Sequence, residues 1–375
     1  MNTFGAYQAY YENYLTDSSS SDISWIGTFQ GFLLIIFGII GGPIFDRGYF
    51  RALLATGIFL VVFGIMMTSL ATTYWQIFLA QGFCVGLGAS CLFLPSVAIV
   101  ATYFSTKRAL AIGISAAGGS IGSVIYSIIF RTLQSKVGAS WATRVIGFIA
   151  LCTLSISMTV MKTRLSPPSH PRSLFDRTAF RSIYFVLFSV GLFLIFTGLY
   201  IPFFYVVIYA QRKIGITEDL SFYLLSVLNA SSVAGRIIPG LLADKFGSLE
   251  IMTICALSAA ILSYAWIAIQ SLGGIVVFCI LYGFASGAVV SLPSSIVAEM
   301  VPDLQLLGTW MGMSFTFAGV GLLIGNPIAG VLINIQDNRF SHGFIFGATV
   351  VMAASVMFIL ILLIKIITSK ASSER

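Results

Sequence analysis

The sequence predicts an all-α polytopic membrane protein, built as two six-helix pseudo-repeats with eleven full membrane helices and a partial first one. Three observations predict it. Only 9% of the 375 residues are charged and 58% are hydrophobic, where a soluble domain carries about 25% charged residues. Apolar runs near the ~20 residues needed to cross a bilayer follow one another along the whole chain, and mean hydropathy is +0.99. Short landmarks recur at one spacing, the mark of an internal repeat.

In order, Met1 to Leu15 is apolar but too short to span. Thr16 to Asp22 is a Ser-rich loop, and the first full span runs from Ile23 to Phe45. A turn, Asp46 to Arg51, leads to Ala52–Leu70, Trp75–Thr102, Ala109–Phe130 and Trp141–Met161. The polar, basic stretch from Lys162 to Arg181 then divides the chain. Beyond it lie Ser182–Ala210, Leu220–Ala243, Leu249–Gln270, Gly274–Ala298, Leu307–Ile333 and Phe344–Ile367. The organisation expected is a helix bundle over 1–161, a cytoplasmic linker over 162–181, a second bundle over 182–367 and a tail over 368–375.

The repeat explains the uneven halves. Asp46 and Asp244 lie 198 residues apart in Gly-Asp-basic turns, and Leu94-Pro95-Ser96 recurs 198 residues on as Leu292-Pro293-Ser294. Gly113-Ile-Ser recurs as Gly312-Met-Ser at an offset of 199. On that offset the first half would begin before Met1. Met1 to Leu15 is therefore expected to be the outer end of a helix whose start is absent.

Loop charges orient the bundle by the excess of Lys and Arg in cytoplasmic loops. Of 20 Lys and Arg residues, Arg131, Lys136, Arg212, Lys213 and Arg339 fall in outer loops, Arg144 and Arg236 fall in spans, and the other 13 fall in inner loops. The linker and C-terminus are thus expected in the cytoplasm, most simply beneath the plasma membrane. The same distribution accounts for the net charge of +7 without a nucleic-acid partner. The five cysteines lie in apolar runs and form no CxxC pair, so neither a disulfide framework nor a metal site is expected. Both histidines, His170 and His342, lie in loops, and no GK[ST] follows the Gly-rich Ala116–Gly122 stretch. No metal, cofactor or nucleotide, and no enzymatic activity, is therefore expected.

Arg236 is the costly residue. A charge in a lipid-length run costs roughly 3 kcal/mol on insertion scales and marks a functional site by default. Asn229, Ser232 and Arg236 sit at i, i+3 and i+7, on one helix face. A guanidinium remains cationic and binds carboxylates with a two-pronged geometry, so a small organic anion is the expected partner. The plainer reading is a helix–helix tie to backbone carbonyls. Further candidates for the pocket are Tyr11 with Tyr7 and Gln8, Gln30, Tyr200 and Tyr205 with Phe204, and Asn326. The turns at Asp46-Arg47 and Asp244-Lys245 place an acid beside a base at the end of the second helix of each half, where charge pairs can latch neighbouring helices. Pairs of glycines spaced GxxxG, such as Gly82/Gly86, Gly118/Gly122, Gly283/Gly287 and Gly321/Gly325, are expected to let helices approach closely. The prolines at 95, 202, 239, 293 and 327 are expected to kink or break helices.

Two motifs carry a family resemblance. Gly240-Leu-Leu-Ala-Asp244-Lys-Phe-Gly247 resembles the major facilitator signature GxLADxxG. Tyr103-Phe-Ser-Thr-Lys107-Arg108-Ala-Leu-Ala-Ile-Gly113-Ile-Ser-Ala-Ala-Gly118 resembles the monocarboxylate-porter signature, departing at Thr106 and Ser115. Lys107 and Arg108 join the gating set at that helix start. The chain is thus similar to the monocarboxylate-porter branch of the major facilitator superfamily, most like its fungal members. The resemblance implies the major facilitator fold, alternating access and a substrate-binding role for Arg236. It also implies H+ as a candidate coupling ion, but the aspartate expected four positions before the arginine is Ser232 here. The function expected is secondary active or facilitative transport of a monocarboxylate or acidic metabolite. Efflux of a secondary metabolite made by a biosynthetic cluster is the first alternative. A non-transporting sensor or inactive remnant is the second.

Overall fold

A computed structural model describes residues 2–104, 108–163, 175–301, 306–335 and 337–373. Side chains within helices at 37–43, 46, 94–95, 97–98, 101–102, 108–109, 219 and 369–373 lie outside the described set. Lys107, the side chains of Asp46 and Arg108, and the Gly38/Gly42 pair therefore lie outside the described residues.

The described residues are helical almost throughout. The first set is α1 (Phe4–Tyr14), α2 (Ser20–Asp46), α3 (Phe50–Thr68), α4 (Tyr74–Ile77), α5 (Val85–Tyr103), α6 (Arg108–Val137) and α7 (Ala139–Val160). The second is α8 (Ile183–Leu199), α9 (Ile201–Tyr209), α10 (Glu218–Phe246), α11 (Ser248–Trp266), α12 (Leu272–Ser291), α13 (Pro293–Met300), α14 (Leu307–Leu332) and α15 (Ser341–Ser373). Ten helical runs among the described residues are long and apolar enough to cross a membrane. Helix α1, at 11 residues, rises only ~16 Å, about half the ~30 Å hydrocarbon core.

The repeat reappears in three dimensions. Helices α2, α3 and α4 begin at Ser20, Phe50 and Tyr74, and α10, α11 and α12 begin 198 residues later at Glu218, Ser248 and Leu272. The turns that follow α2 and α10 contain Gly48 and Gly247 at φ +86° and +101°. That backbone region is open to glycine at no steric cost, so both turns need a glycine there.

Capping and proline chemistry set several breaks. The Ser271 hydroxyl accepts from Gly274 N at 3.2 Å to start α12, and Thr73 with Gln76 forms a capping box at α4. Pro202 and Pro293 sit in the first turn of α9 and α13, where a missing N–H costs nothing, and each divides a membrane crossing. Pro239 and Pro327, by contrast, lie inside the unbroken helices α10 and α14. Two π-helical turns, Phe78–Cys84 joining α4 to α5 and Ala210–Ile214 ending α9, have no signature in the sequence pattern.

The two sets meet along two principal seams, α2 with α14 and α6 with α10. These seams are mates under the 198-residue repeat, because α2 corresponds to α10 and α6 to α14. Helices α1 and α9 meet as well, with the Phe4 and Phe204 rings 5.0 Å apart. Glycines set the closest approaches. A Cβ at Gly235 would meet the Phe284 carbonyl, one at Gly283 the Leu228 carbonyl, and one at Gly325 the Thr197 carbonyl. The Gly82/Gly86 pair backs onto Ile26 and Gln30 of α2. The Gly118/Gly122 pair does not behave as expected: an added Cβ at either meets nothing within 4 Å, because that face of α6 turns away from its neighbours.

The end of the linker is fastened to the bundle. Asp176 Oδ2 accepts from Trp310 Nε1 at 2.9 Å and from the Thr178 hydroxyl at 2.6 Å. The Trp310 ring meets Phe185 edge-on at 5.0 Å. Hydrogen bonds from the Thr178 hydroxyl, the Trp310 indole and the Thr178 amide hold the Asp176 carboxyl below the usual aspartate range.

Two predictions follow from these contacts. Gly235→Ala should cost about 1–3 kcal/mol through overpacking, while Gly118→Ala should be neutral, as read by thermal unfolding in detergent. The Asp176–Trp310 link should hold above the ordinary aspartate value of about 3.9 and be lost as pH falls through the lowered one, because protonation removes the anionic acceptor. The Trp310 contribution to emission, taken against Trp310→Phe, should shift in acid, and Asp176→Asn should abolish that shift.

Candidate functional site

The α6–α10 seam is antiparallel and runs the depth of the bundle. At one end the Leu110 amide donates to Asp244 Oδ2 at 3.3 Å. At the other, Arg131 Nη1 donates to Glu218 Oε1 at 2.7 Å and its guanidinium lies 5.0 Å over the Phe222 ring. Leu110 to Arg131 covers ~32 Å at 1.5 Å per residue. Between these ends, Ser120 and Ser232 hydroxyls lie 3.3 Å apart, and a Cβ at Gly113 would meet the Arg236 carbonyl. Small residues on α6 make this approach possible.

Arg236 sits in this seam, 6% exposed. It lies ~27 Å along α10 from Glu218 and ~15 Å from Phe246, so it occupies the Asp244 half of the helix. Nη1 donates to the Ala116 carbonyl at 2.6 Å and Nε to Ser232 Oγ at 3.3 Å. The carbonyl tie weighed from the sequence is therefore present, on one nitrogen. Among the described residues the other terminal nitrogen, Nη2, has no protein acceptor. Tyr200, buried where α8 gives way to α9, lies within electrostatic range of the guanidinium. No described acidic side chain bonds to Arg236.

Asn229 and Ser232 share the buried face of α10 with Arg236, as the spacing required. Asn229 Nδ2 donates to Leu225 O at 2.9 Å and to Asn2 O at 3.4 Å, leaving its buried Oδ1 without a partner. The site thus holds a donor and an acceptor that the protein does not satisfy, about 10 Å apart along the helix.

The other candidates lie elsewhere. The Tyr205 hydroxyl is 2.7 Å from Ser24 Oγ and 3.4 Å from the Asn326 carbonyl, tying α9 to α2 and α14. Tyr11 donates to Gln81 Oε1 at 2.7 Å, inside the first set. Gln30 is buried with its backbone against Gly86. The structure therefore gathers Arg236, Ser232, Asn229 and Tyr200, and places Tyr205, Tyr11 and Gln30 in other contacts. Of the gating residues, Asp244 bonds across the seam to the start of α6, where the helix dipole favours an anion. Lys245 instead lies 5.3 Å over the Phe246 ring, and Arg47 is exposed.

Sequence reading missed one ion pair and the partners of one acid. Arg131 and Glu218 form an ion pair between the sets, where composition alone made Arg131 a topology marker. Glu12 Oε1 accepts from Gln8 Nε2 at 2.8 Å and from Ser20 Oγ at 2.6 Å. The buried Gln8 Oε1 in this group has no partner. Only tertiary pairing exposes such groups, since their members lie far apart in sequence or on short helices.

Comparison with known proteins follows this geometry. The family model of the Major Facilitator Superfamily matches residues 1–304 and 232–375. The chain is 43% identical over 335 residues to the MFS-type transporter dbaD of Emericella nidulans, covering 89% of this chain and 75% of that protein. It is 39% identical over 359 residues to the aspyridones efflux protein apdF of the same organism, covering 95% and 73%. It is 40% identical over 333 residues to the agnestins efflux protein AgnL12 of Paecilomyces divaricatus, covering 88% and 76%.

Proposed function

The chain belongs to the Major Facilitator Superfamily, a family of membrane transporters, and from that premise we propose that it exports a small organic anion held at Arg236. The observation that carries this reading is the buried guanidinium with one terminal nitrogen spent on Ala116 O and the other unmatched. A carboxylate or acidic enol entering the seam supplies the missing acceptor, and charge-assisted hydrogen bonds are the strong ones. Efflux is favoured because two relatives carry efflux of aspyridones and of agnestins in their names. Those names favour transport over the sensor or remnant reading.

Several finer assignments belong to the same proposal. The signature from Tyr103 to Gly118 supports membership of the monocarboxylate-porter branch. The bundles span 1–161 and 182–367, with eleven full membrane helices and α1 as a partial twelfth. The linker and tail lie in the cytoplasm by the charge rule, and the membrane is the plasma membrane. Asp244, Lys245, Asp46, Arg47, Lys107 and Arg108 gate the cytoplasmic side. Where H+ is coupled, Glu12 carries it: its carboxylate bonds Gln8 and Ser20 within electrostatic range of Arg212 and Tyr205. Protonation there exchanges an acceptor for a donor on a residue between α1, α2 and the second set.

Arg236→Gln should slow export of the anion fluorescein from reconstituted vesicles by about tenfold or more, the weight of one charge-assisted hydrogen bond. Arg236→Lys should fall between, since it keeps the charge and loses the fork. Wild-type rates in Arg236→Gln would sink the anion-site reading. Glu12→Gln should leave export running while abolishing its response to an imposed pH gradient. A retained response would remove Glu12 from the proton path.

A further inference from the structure

Arg236 reaches back along α10 toward Asn229. Its Nε donates to Ser232 Oγ at 3.3 Å, one turn nearer Asn229, because helical side chains lean toward the N-terminus. One edge of the guanidinium is reachable. Gly119 of α6 is exposed, and a Cβ there would stand 3.9 Å from Arg236 Nη1. Beside it, a Cβ at Gly118 or Gly122 would meet nothing within 4 Å. The glycine face of α6 thus leaves an approach to the guanidinium for a small anion.

Asn229 lies on the same face of α10 and is fully buried. Its amide group can be placed only one way round. The nitrogen meets two carbonyls, Leu225 O at 2.9 Å and Asn2 O at 3.4 Å. Carbonyls only accept, so the NH2 must face them, and both its hydrogens are then spent. What remains is Oδ1, an acceptor with no partner among the described residues. Buried polar atoms left unmatched are few in native proteins, and each calls for a physical explanation. The hydroxyl between the two residues does not supply one: Ser232 Oγ accepts from Arg236 Nε and lies 3.3 Å from Ser120 Oγ. Oδ1 is closed off by the approach of Asn2, just ahead of α1, to α10. Asn2 and α1 belong to the first helix set and α10 to the second, so parting of the sets, which alternating access requires, uncovers the face that Asn229 and Arg236 share.

We propose that Asn229 determines specificity: the acid held at Arg236 carries a second, neutral hydrogen-bond donor, a hydroxyl or an amide N–H, which Oδ1 accepts. This rests on the anion reading above and narrows it, from any small organic anion to a hydroxy acid or its N–H equivalent. Spacing along the helix sets the reach. Asn229 and Arg236 lie ~10 Å apart on α10, and the guanidinium recovers about one turn of that, so the two groups are about 5–10 Å apart. Two hydrogen bonds of ~2.8 Å take up much of the gap. The acid and the donor therefore stand across one ring or a short chain, rather than on adjacent carbons. A simple monocarboxylate satisfies the guanidinium and leaves Oδ1 orphaned. A donor on adjacent carbons is spent on the ligand's own carboxylate. Only the intermediate spacing meets both groups at once.

The test uses the purified chain in lipid nanodiscs, with radiolabelled benzoate, 3-hydroxybenzoate, 3-methoxybenzoate and 2-hydroxybenzoate as probes. All four are anions on one ring. Only 3-hydroxybenzoate offers a free donor across the ring, because the hydroxyl of 2-hydroxybenzoate bonds to its own carboxylate. Equilibrium dialysis against empty nanodiscs should show 3-hydroxybenzoate bound about tenfold more tightly than each of the other three. Asn229→Leu, close in volume and without the acceptor, should weaken 3-hydroxybenzoate to the level of benzoate. The comparisons in the wild-type chain need no variant, so they decide the matter even where Asn229→Leu folds poorly. Arg236→Gln should weaken benzoate and 3-hydroxybenzoate together, through the charge that they share. Equal binding of 3-hydroxybenzoate and 3-methoxybenzoate, or a preference that survives Asn229→Leu, overturns the proposal and leaves the anion reading standing. Benzoate binding that is indifferent to Arg236→Gln counts against the anion reading, and the proposal falls with it.

Discussion

A guanidinium must be accommodated inside a helix long enough to cross a bilayer, and the α6–α10 seam is built around that constraint. Arg236 cannot lie against lipid without a cost of roughly 3 kcal/mol. The structure turns it to a face of α6 lined by small residues. Ala116 offers its carbonyl, Gly119 leaves room beside Nη1, and Gly113 admits the α10 backbone. Bulk at any of these positions would separate the helices and strand the charge. The same small residues that suit helix packing in lipid therefore create the polar site. On the proposed reading partial satisfaction is what matters, because a guanidinium fully matched by protein would have nothing left for a ligand.

The seam also joins the two sets of helices, and its mate α2–α14 does the same on the opposite side. At the Glu218 face the ties are Arg131–Glu218, Tyr205–Ser24 and the Ser21 hydroxyl on Pro327 O at 3.0 Å. At the Asp244 face the tie among the described residues is the Asp244 carboxylate on the start of α6. Arg131 is 15% and Glu218 58% exposed, and pairs that are open to water contribute about 0–1 kcal/mol. Contacts of that size hold one arrangement and release it cheaply. Rocking about two symmetry-related seams is how such bundles alternate access around a fixed midplane site.

Among the described residues the buried face of α10 offers one free donor and one free acceptor. Arg236 and the orphaned Asn229 Oδ1 lie in the interior, where a donor and an acceptor are each worth more for being out of water. Incomplete matching suits a transporter, since a ligand held too well would not leave.

Much of the fold was legible because membrane insertion writes itself into composition. Charges are confined to loops, spans need a fixed length, and a duplicated half leaves its spacing in Asp46 and Asp244. The 198-residue offset found in motifs returned in the first residues of α2, α3, α4 and their mates. Arg236 was legible for the same reason, as a charge where lipid forbids one, and its helical spacing to Asn229 and Ser232 placed all three on one face. What the chain alone could not decide was partnership across the seams. Nothing in the spacing of Gly118 and Gly122 says that their face of α6 is open while Gly283 and Gly287 are closed against α10. Tyr205 and Tyr11 are aromatic residues with hydroxyls in suitable helices, yet their bonds to Ser24 and Gln81 follow from helix rotation, which a uniformly apolar sequence does not encode. Hydrophobicity fixes which segments enter the membrane; only close packing between the helices fixes which residue each polar group meets there.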